Sequence, residues 1–282
     1  MMIREIHTDK VTDLVERLCI EANCHLTDDI YSCLKNCRAT EQSPLGKDIL
    51  NTLVENAQIA RDETAPICQD TGMTVVFVTL GQEVHLTGGS LEEAINEGVR
   101  RGYEKGYLRK SVVRDPLDRV NTKDNTPAVI HYEIVPGDGL HITVAPKGFG
   151  SENMSGLRML KPSQGLPGVK DFVIRTVSDA GANPCPPIIV GVGIGGTMEK
   201  SALLSKKALL RPVGERNPDP ALAELEEELL QSINQLGIGP AGFGGTTTAL
   251  AVNILTYATH IAGLPVAVNI GCHATRHSEG KL

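Results

Sequence analysis

The chain has 282 residues, enough for one large domain or two small ones, with 41% apolar and 22% charged residues, an ordinary globular mixture. A net charge of −7 with no basic block weighs against a phosphate-backbone partner, and 3% aromatics with no Trp weighs against stacking platforms for nucleic-acid bases. MMIREIHTDK has no apolar signal core, so the chain is read as cytoplasmic, with its seven cysteines as reduced thiols, metal ligands or buried small hydrophobes.

Residues 1–60 read as a helical N-terminal region. Val11, Leu14, Val15, Leu18, Cys19 and Ala22 follow helical spacing. Thr27 is the expected N-cap of a second helix with Ile30, Cys33, Leu34 and Cys37 on one face, and Ile49, Leu50, Leu53, Val54 and Ala57 mark a third. Pro66 and Gly72 punctuate a loop at TAPICQDTG, before a buried strand MTVVFVTLG. Ser90 with Glu93 forms a capping box ahead of a helix to about Tyr107. PAVIHYEIV and LHITVAP flank PGDG and read as a β-hairpin, followed by a glycine-rich loop KGFGSENMSG. A helix from Val169 stops at Gly181, and ANPCPP is a proline-bracketed loop. IIVGVGIGGT is a strand entering a glycine turn, followed by the helix MEKSALLSKKALL. Leu222, Leu225, Leu229, Ile233 and Leu236 build another helix, and two apolar strands lie near 246–256 and 264–270. This irregular alternation predicts an α+β fold, with mixed sheets packed against helices and a helical N-terminal layer, as a single domain over 1–282.

No Asp, Glu, Lys or Arg occurs between Glu228 and Arg276. Pro240, Pro265, several Gly and many Thr, Asn and Gln interrupt that stretch, so it reads as core or subunit interface rather than a membrane span.

The cysteines fall into two groups. Cys19, Cys24, Cys33 and Cys37 lie on helices with apolar neighbours and are read as core packing. Cys68, Cys185 and Cys272 each sit in a Pro- or Gly-marked loop with polar neighbours, where ligands are usually presented. Three thiolates on a [4Fe–4S] cluster would leave one iron open as a Lewis acid for C–O cleavage, whereas four would make an electron carrier. Alternatives remain open. Cys68, Cys185, Cys272 and His273 form a Cys3His set for zinc, though structural zinc sites use closely spaced pairs. The thiols of a non-catalytic binding subunit would simply be buried. Gly191-x-Gly193-x-x-Gly196 has the form of a dinucleotide fingerprint, but RPVGERNPD stands where an acidic strand end is required.

At CQDTG, ANPC, GCH, GSENMS, PPIIVGVGIGGT…K…LLRP and NQLGIGPAGFGGTTTALAV the chain resembles the α subunit, or N-terminal domain, of class I fumarases and L(+)-tartrate dehydratases. The resemblance implies a hydro-lyase whose [4Fe–4S] ligands are Cys68, Cys185 and Cys272. It implies that Gln69 and Asp70 line the substrate site, that Arg109 receives a substrate carboxylate, that Gly150 donates a backbone N–H, and that His260 is an active-site histidine. Asp70 would hydrogen-bond the leaving hydroxyl or shuttle its proton; its plainer reading is a turn-stabilising side chain in Asp-Thr-Gly. Phe149 stands where the family often has glycine. The expected reaction is reversible hydration of fumarate to (S)-malate, with tartrate dehydration to oxaloacetate as the alternative. Cys272 lies ten residues from the end of the sequence, so the rest of the site, including a base for the carbon-bound proton, is expected from a separate β subunit in an (αβ)2 assembly without nucleic acid or membrane.

Overall fold

A computed structural model of the chain describes residues 3–282; Met1 and Met2, the first two residues of the expected 1–282 domain, lie outside the described residues. In chain order the elements are β1 (Arg4–His7), α1 (Thr8–Cys24), α2 (Asp28–Thr40), α3 (Pro44–Glu63), β2 (Met73–Gly81), β3 (Val84–Thr87), α4 (Leu91–Lys105), β4 (Val129–Val135), β5 (Leu140–Lys147) and α5 (Phe149–Glu152). Then follow β6 (Gly156–Leu160), α6 (Gly165–Ala180), β7 (Ile188–Gly195), α7 (Met198–Ala208), α8 (Pro220–Asn234), β8 (Ala249–Tyr257), β9 (Leu264–Gly271) and β10 (Ser278–Lys281). The fold is α+β with helices α1–α3 leading into mixed sheets. The chain forms two compact units.

The first unit comprises the described residues through Thr27, Ala57–Phe149 and Arg276–Leu282. Its four-stranded sheet runs β10-β5-β2-β4. Val11, Val15 and Leu18 of α1 and Ile95 and Val99 of α4 pack with Val76, Val78, Ile142 and Val144 of the sheet, a 3.6-residue period meeting a 2-residue period. The expected hairpin does not form. β4 pairs parallel to β2, and β5 pairs antiparallel on its other side. The Pro136–Gly139 connection therefore crosses the end of β2, where the N–H groups of Gly81 and Gln82 donate to the carbonyls of Gly139 and Val135. A Cβ on Gly81 would lie 2.2 Å from the Gly137 carbonyl oxygen, so this crossing requires glycine. The physical reason is burial: β2 is largely enclosed and must be central, whereas β4 exposes Tyr132 and Ile134 and suits an edge.

The second unit comprises Asp28–Asn56 and Gly150–Thr275. Its sheet runs β6-β9-β7-β8, with β7 parallel to β8 and antiparallel to β9. Val190, Val192, Ile254, Val266 and Val268 meet Val173 and Val177 of α6 and Leu229 and Ile233 of α8. The charge-free stretch thus has its cause: β8 and β9 are largely buried strands of this core. Among the described residues no helix is long and apolar enough to cross a membrane.

The glycines of the dinucleotide-like pattern admit a helix. Cβ atoms on Gly191 and Gly193 would each lie 2.1 Å from the carbonyl oxygens of Ser205 and Ser201 on α7, so the α7 backbone rests directly on β7. Gly193→Ala is expected to push the two apart and to lower stability by about 1–3 kcal/mol. A fall in the urea midpoint at unchanged slope would show it, and an unchanged midpoint would contradict the close approach.

Candidate active site

In the first unit the segment Cys68–Gly72 is a tight turn held from several directions. The Asp70 N–H points to Cys68 Sγ at 3.4 Å, and Asp70 Oδ1 accepts the Gly72 N–H at 3.0 Å, the Asx turn expected of Asp-Thr-Gly. Asp70 Oδ2 accepts the Phe149 N–H at 2.9 Å. Gly72 has φ +74, and a Cβ there would lie 2.7 Å from the Lys147 backbone, so both conformation and space exclude any other residue. The buried Tyr103 hydroxyl donates to the Thr71 carbonyl at 2.6 Å, and Asn125 Nδ2 to that of Gly72 at 3.2 Å. Burial pushes the Tyr103 phenol upward, so it stays a neutral donor.

Thr71 Oγ1 donates to the Arg109 carbonyl at 2.8 Å and ties that residue's backbone to the turn. The Arg109 side chain is exposed and, among the described residues, has no carboxylate partner. Gln69 is also exposed. The first unit thus brings Cys68, Gln69, Asp70 and Arg109 into one neighbourhood.

In the second unit Gly150 lies in the single turn of α5, with space for a Cβ 3.7 Å from the Asn183 carbonyl oxygen. The glycine-rich loop expected here is therefore partly helical. The loops carrying Cys185 and Cys272 meet: the His273 N–H donates to the Cys185 carbonyl at 3.3 Å, and His273 Nδ1 lies 3.0 Å from the same oxygen. Cys185 has φ 54, a conformation costly for a residue with a Cβ, and Thr275 Oγ1 closes the other loop by donating to the Cys272 carbonyl at 2.8 Å. His260 is exposed beyond β8, beside a surface cleft lined also by Thr197, Lys200 and Thr259. Its Nδ1 accepts the Ala262 N–H at 3.2 Å, which leaves Nε2 as the donor of the neutral ring.

The expectation of a three-cysteine [4Fe–4S] cluster is corrected. Among the described residues no group of three or more His, Cys, Asp or Glu is placed to hold a metal ion, and the same finding removes the Cys3His zinc alternative. A ligand set must aim its sulfurs at one point. Here Cys68 Sγ receives a backbone N–H of its own loop, and Cys185 Sγ is turned 4.0 Å from the Asn183 carbonyl oxygen. The residues present do not fit the group, and no chemical step is derived through it.

The other cysteines also differ from expectation in part. Cys19 and Cys24 are buried, and burial pushes both thiols up, as inert core residues require. Cys33 and Cys37 are only half-buried, and their sulfurs lie 4.0 Å apart on one face of α2.

Two residues that shape these neighbourhoods went unmarked in the sequence. Arg276 is 4% exposed and donates to the Asp70 carbonyl and to Asn23 Oδ1, pinning the turn within the first unit. Its only signal was its position as the first cation after the charge-free stretch. In the second unit Glu41, 1% exposed, accepts the N–H groups of Gln42, Ser43, Thr246 and Thr247 at 2.8–3.0 Å. Burial would raise its carboxyl, but the donors of Ser43, Thr246 and Thr247 override this and hold it at about 2.

Comparison with known proteins adds family to geometry. Residues 12–281 match the family described as fumarate hydratase (Fumerase). A protein of Methanocaldococcus jannaschii, provisionally named an L(+)-tartrate dehydratase subunit alpha, is 44% identical over 279 residues, covering 97% of this chain and 98% of that one. The L(+)-tartrate dehydratase subunits alpha of Escherichia coli and Shigella sonnei are each 38% identical over 278 residues, covering 97% of this chain and 90% of theirs. A match of this extent, over both compact units, means that the chain belongs to the fumarate hydratase (Fumerase) family, together with the tartrate dehydratase alpha subunits.

Proposed function

We propose that this chain is the alpha subunit of a hydro-lyase that dehydrates L(+)-tartrate or a near relative of it, acting with a separate beta subunit in an (αβ)2 assembly. The observation that carries this reading is the 44% and 38% identity, over 97% of the chain, to proteins named as tartrate dehydratase alpha subunits. On that ground tartrate is preferred to the fumarate expected from the sequence. Fumarate hydration remains a second reading, favoured by the description of the family itself.

The roles assigned follow from side-chain chemistry. Arg109, exposed and without a carboxylate partner among the described residues, forms a bidentate pair with a substrate carboxylate. Gln69 supplies amide hydrogen bonds, and Gly150 a backbone N–H. Asp70 hydrogen-bonds the departing hydroxyl and manages its proton. His260 presents an Nε2 donor to a substrate oxygen. Dehydration also removes a carbon-bound proton, and the beta subunit supplies that base.

The test is co-expression with the beta subunit, followed by assays of tartrate dehydration and fumarate hydration side by side. A site built to hydrogen-bond the extra tartrate hydroxyl discriminates by as much as about 10⁴-fold against the substrate lacking it. Turnover of tartrate well above that of fumarate is the expected outcome. Turnover of fumarate alone would move the assignment to the second reading, and turnover of neither would reject both.

A further inference from the structure

The thiol pair on α2 has a geometry that its expected role in the core does not explain. Cys33 and Cys37 are four residues apart on a helix that buries Ile30 and Leu34, yet both sulfurs are only half-buried. Their separation is 4.0 Å. A disulfide needs a sulfur–sulfur bond of about 2.05 Å and Cβ atoms about 3.5–4.5 Å apart. A regular helix holds the Cβ atoms of such a pair about 5–6 Å apart. Oxidation would therefore have to unwind α2, whereas a bridging ion would not. Metal–sulfur bonds of about 2.3 Å on either side of one ion span sulfur separations up to about 4.6 Å.

The donor set chooses the ion. Zinc in a structural site wants four ligands, usually tetrahedral. Among the described residues these thiols belong to no group of three or more possible ligands, and the neighbouring Glu41 carboxylate is filled by four backbone N–H groups. Two soft thiolates and nothing else suit a thiophilic ion that accepts two-coordination, of which monovalent copper is the first-row example. Two half-buried sulfurs also offer such an ion a path from solvent. Contact with the Cys37 thiol lowers the Cys33 pKa, while contact with Cys33 and burial raise that of Cys37.

We propose that Cys33 and Cys37 form a dithiol site on α2 that binds one soft, thiophilic cation such as monovalent copper through both sulfurs. Binding displaces one proton from each thiol to solvent and moves no electrons. The site is distinct from the residues assigned to dehydration and does not depend on that assignment.

The test is an anaerobic titration of the full chain with monovalent copper against a chromophoric copper(I) chelator, for wild type, C33S, C37S and C33S/C37S. Wild type should bind one more tight equivalent than any variant, and the three variants should lose that same equivalent. Removing one of two linked ligands should weaken the ion by on the order of 10²-fold or more. Losses that add between the single variants, or a C33S protein that keeps its full complement, would overturn the proposal. A variant-free readout guards against misfolding. In wild type one equivalent of copper should protect Cys33 and Cys37 together from iodoacetamide, as mapped on peptides, and labelling of both at the unprotected rate would also overturn it.

Discussion

Asp70→Asn is expected to lower kcat by roughly 10²–10⁴-fold, the range for loss of a positioned proton-transfer group. The same change should cost only about 1 kcal/mol of stability. Asparagine keeps the oxygen that accepts the Gly72 N–H at 3.0 Å and so preserves the Asx turn. It faces an amide NH2 toward the Phe149 N–H, which now donates to Oδ2 at 2.9 Å. The two readings of this residue therefore separate in one pair of measurements on the assembled enzyme. A turn-stabilising aspartate would give a lower melting temperature with nearly normal turnover. A proton-handling aspartate would give a nearly normal melting temperature, a collapsed kcat and a modest change in KM.

Glu41→Gln should destabilise the second unit by about 3 kcal/mol at neutral pH, and Glu41→Ala by at least as much. Four backbone N–H groups and the Thr246 hydroxyl converge on this carboxylate. Glutamine offers one oxygen and turns two N–H bonds toward donors, while alanine leaves the donors buried and unmet. The pH dependence has a definite sign. The carboxyl is lowered from the ordinary 4.5 to about 2 in the folded chain, so the unfolded chain takes up the proton first. The stabilisation is full above about pH 4.5 and is lost as pH falls toward 2; 2.5 pH units correspond to about 3 kcal/mol. Urea midpoints of wild type and Glu41→Gln should converge between pH 5 and pH 2. Parallel curves over that range would mean that the carboxylate is not held by its donors.

How much of this was legible in the sequence depends on how local each signal is. The helices from Thr8 to Cys24 and from Pro220 to Asn234 were readable because period 3.6 is written into consecutive residues. The Gly72 turn was readable because Asp-Thr-Gly carries its own chemistry. The pairing of β4 and β5 was misread for the converse reason. A four-residue turn between two apolar runs looks like a hairpin whether the strands join each other or straddle a third, and β2 lies some fifty residues upstream. β1 and β3 are four residues each, too short to show an alternation. At the candidate site, the loop positions of Cys68, Cys185 and Cys272 could be inferred from Pro and Gly, but the direction in which each sulfur points could not. Arg276 and Glu41 were invisible because their partners are separated from them by up to 253 and 206 residues, and nothing in their immediate neighbours announces a buried charge.

The first unit is stitched from separated stretches of chain, and this sets an order on its birth. Its β10 strand pairs with β5, and Arg276 clasps the Asp70 turn, yet both follow Gly150–Thr275 in the sequence. A ribosome delivers them only after that whole segment has been made. Until then the nascent sheet has β5 as an open edge, a ready template for unwanted pairing. The turn carrying Asp70 also waits, lacking its arginine. Segment 150–275 has no such delay, because its partner stretch 28–56 is already out of the tunnel when β7, β8 and β9 arrive. The candidate catalytic turn is thus secured only after the whole of Gly150–Thr275 has been made.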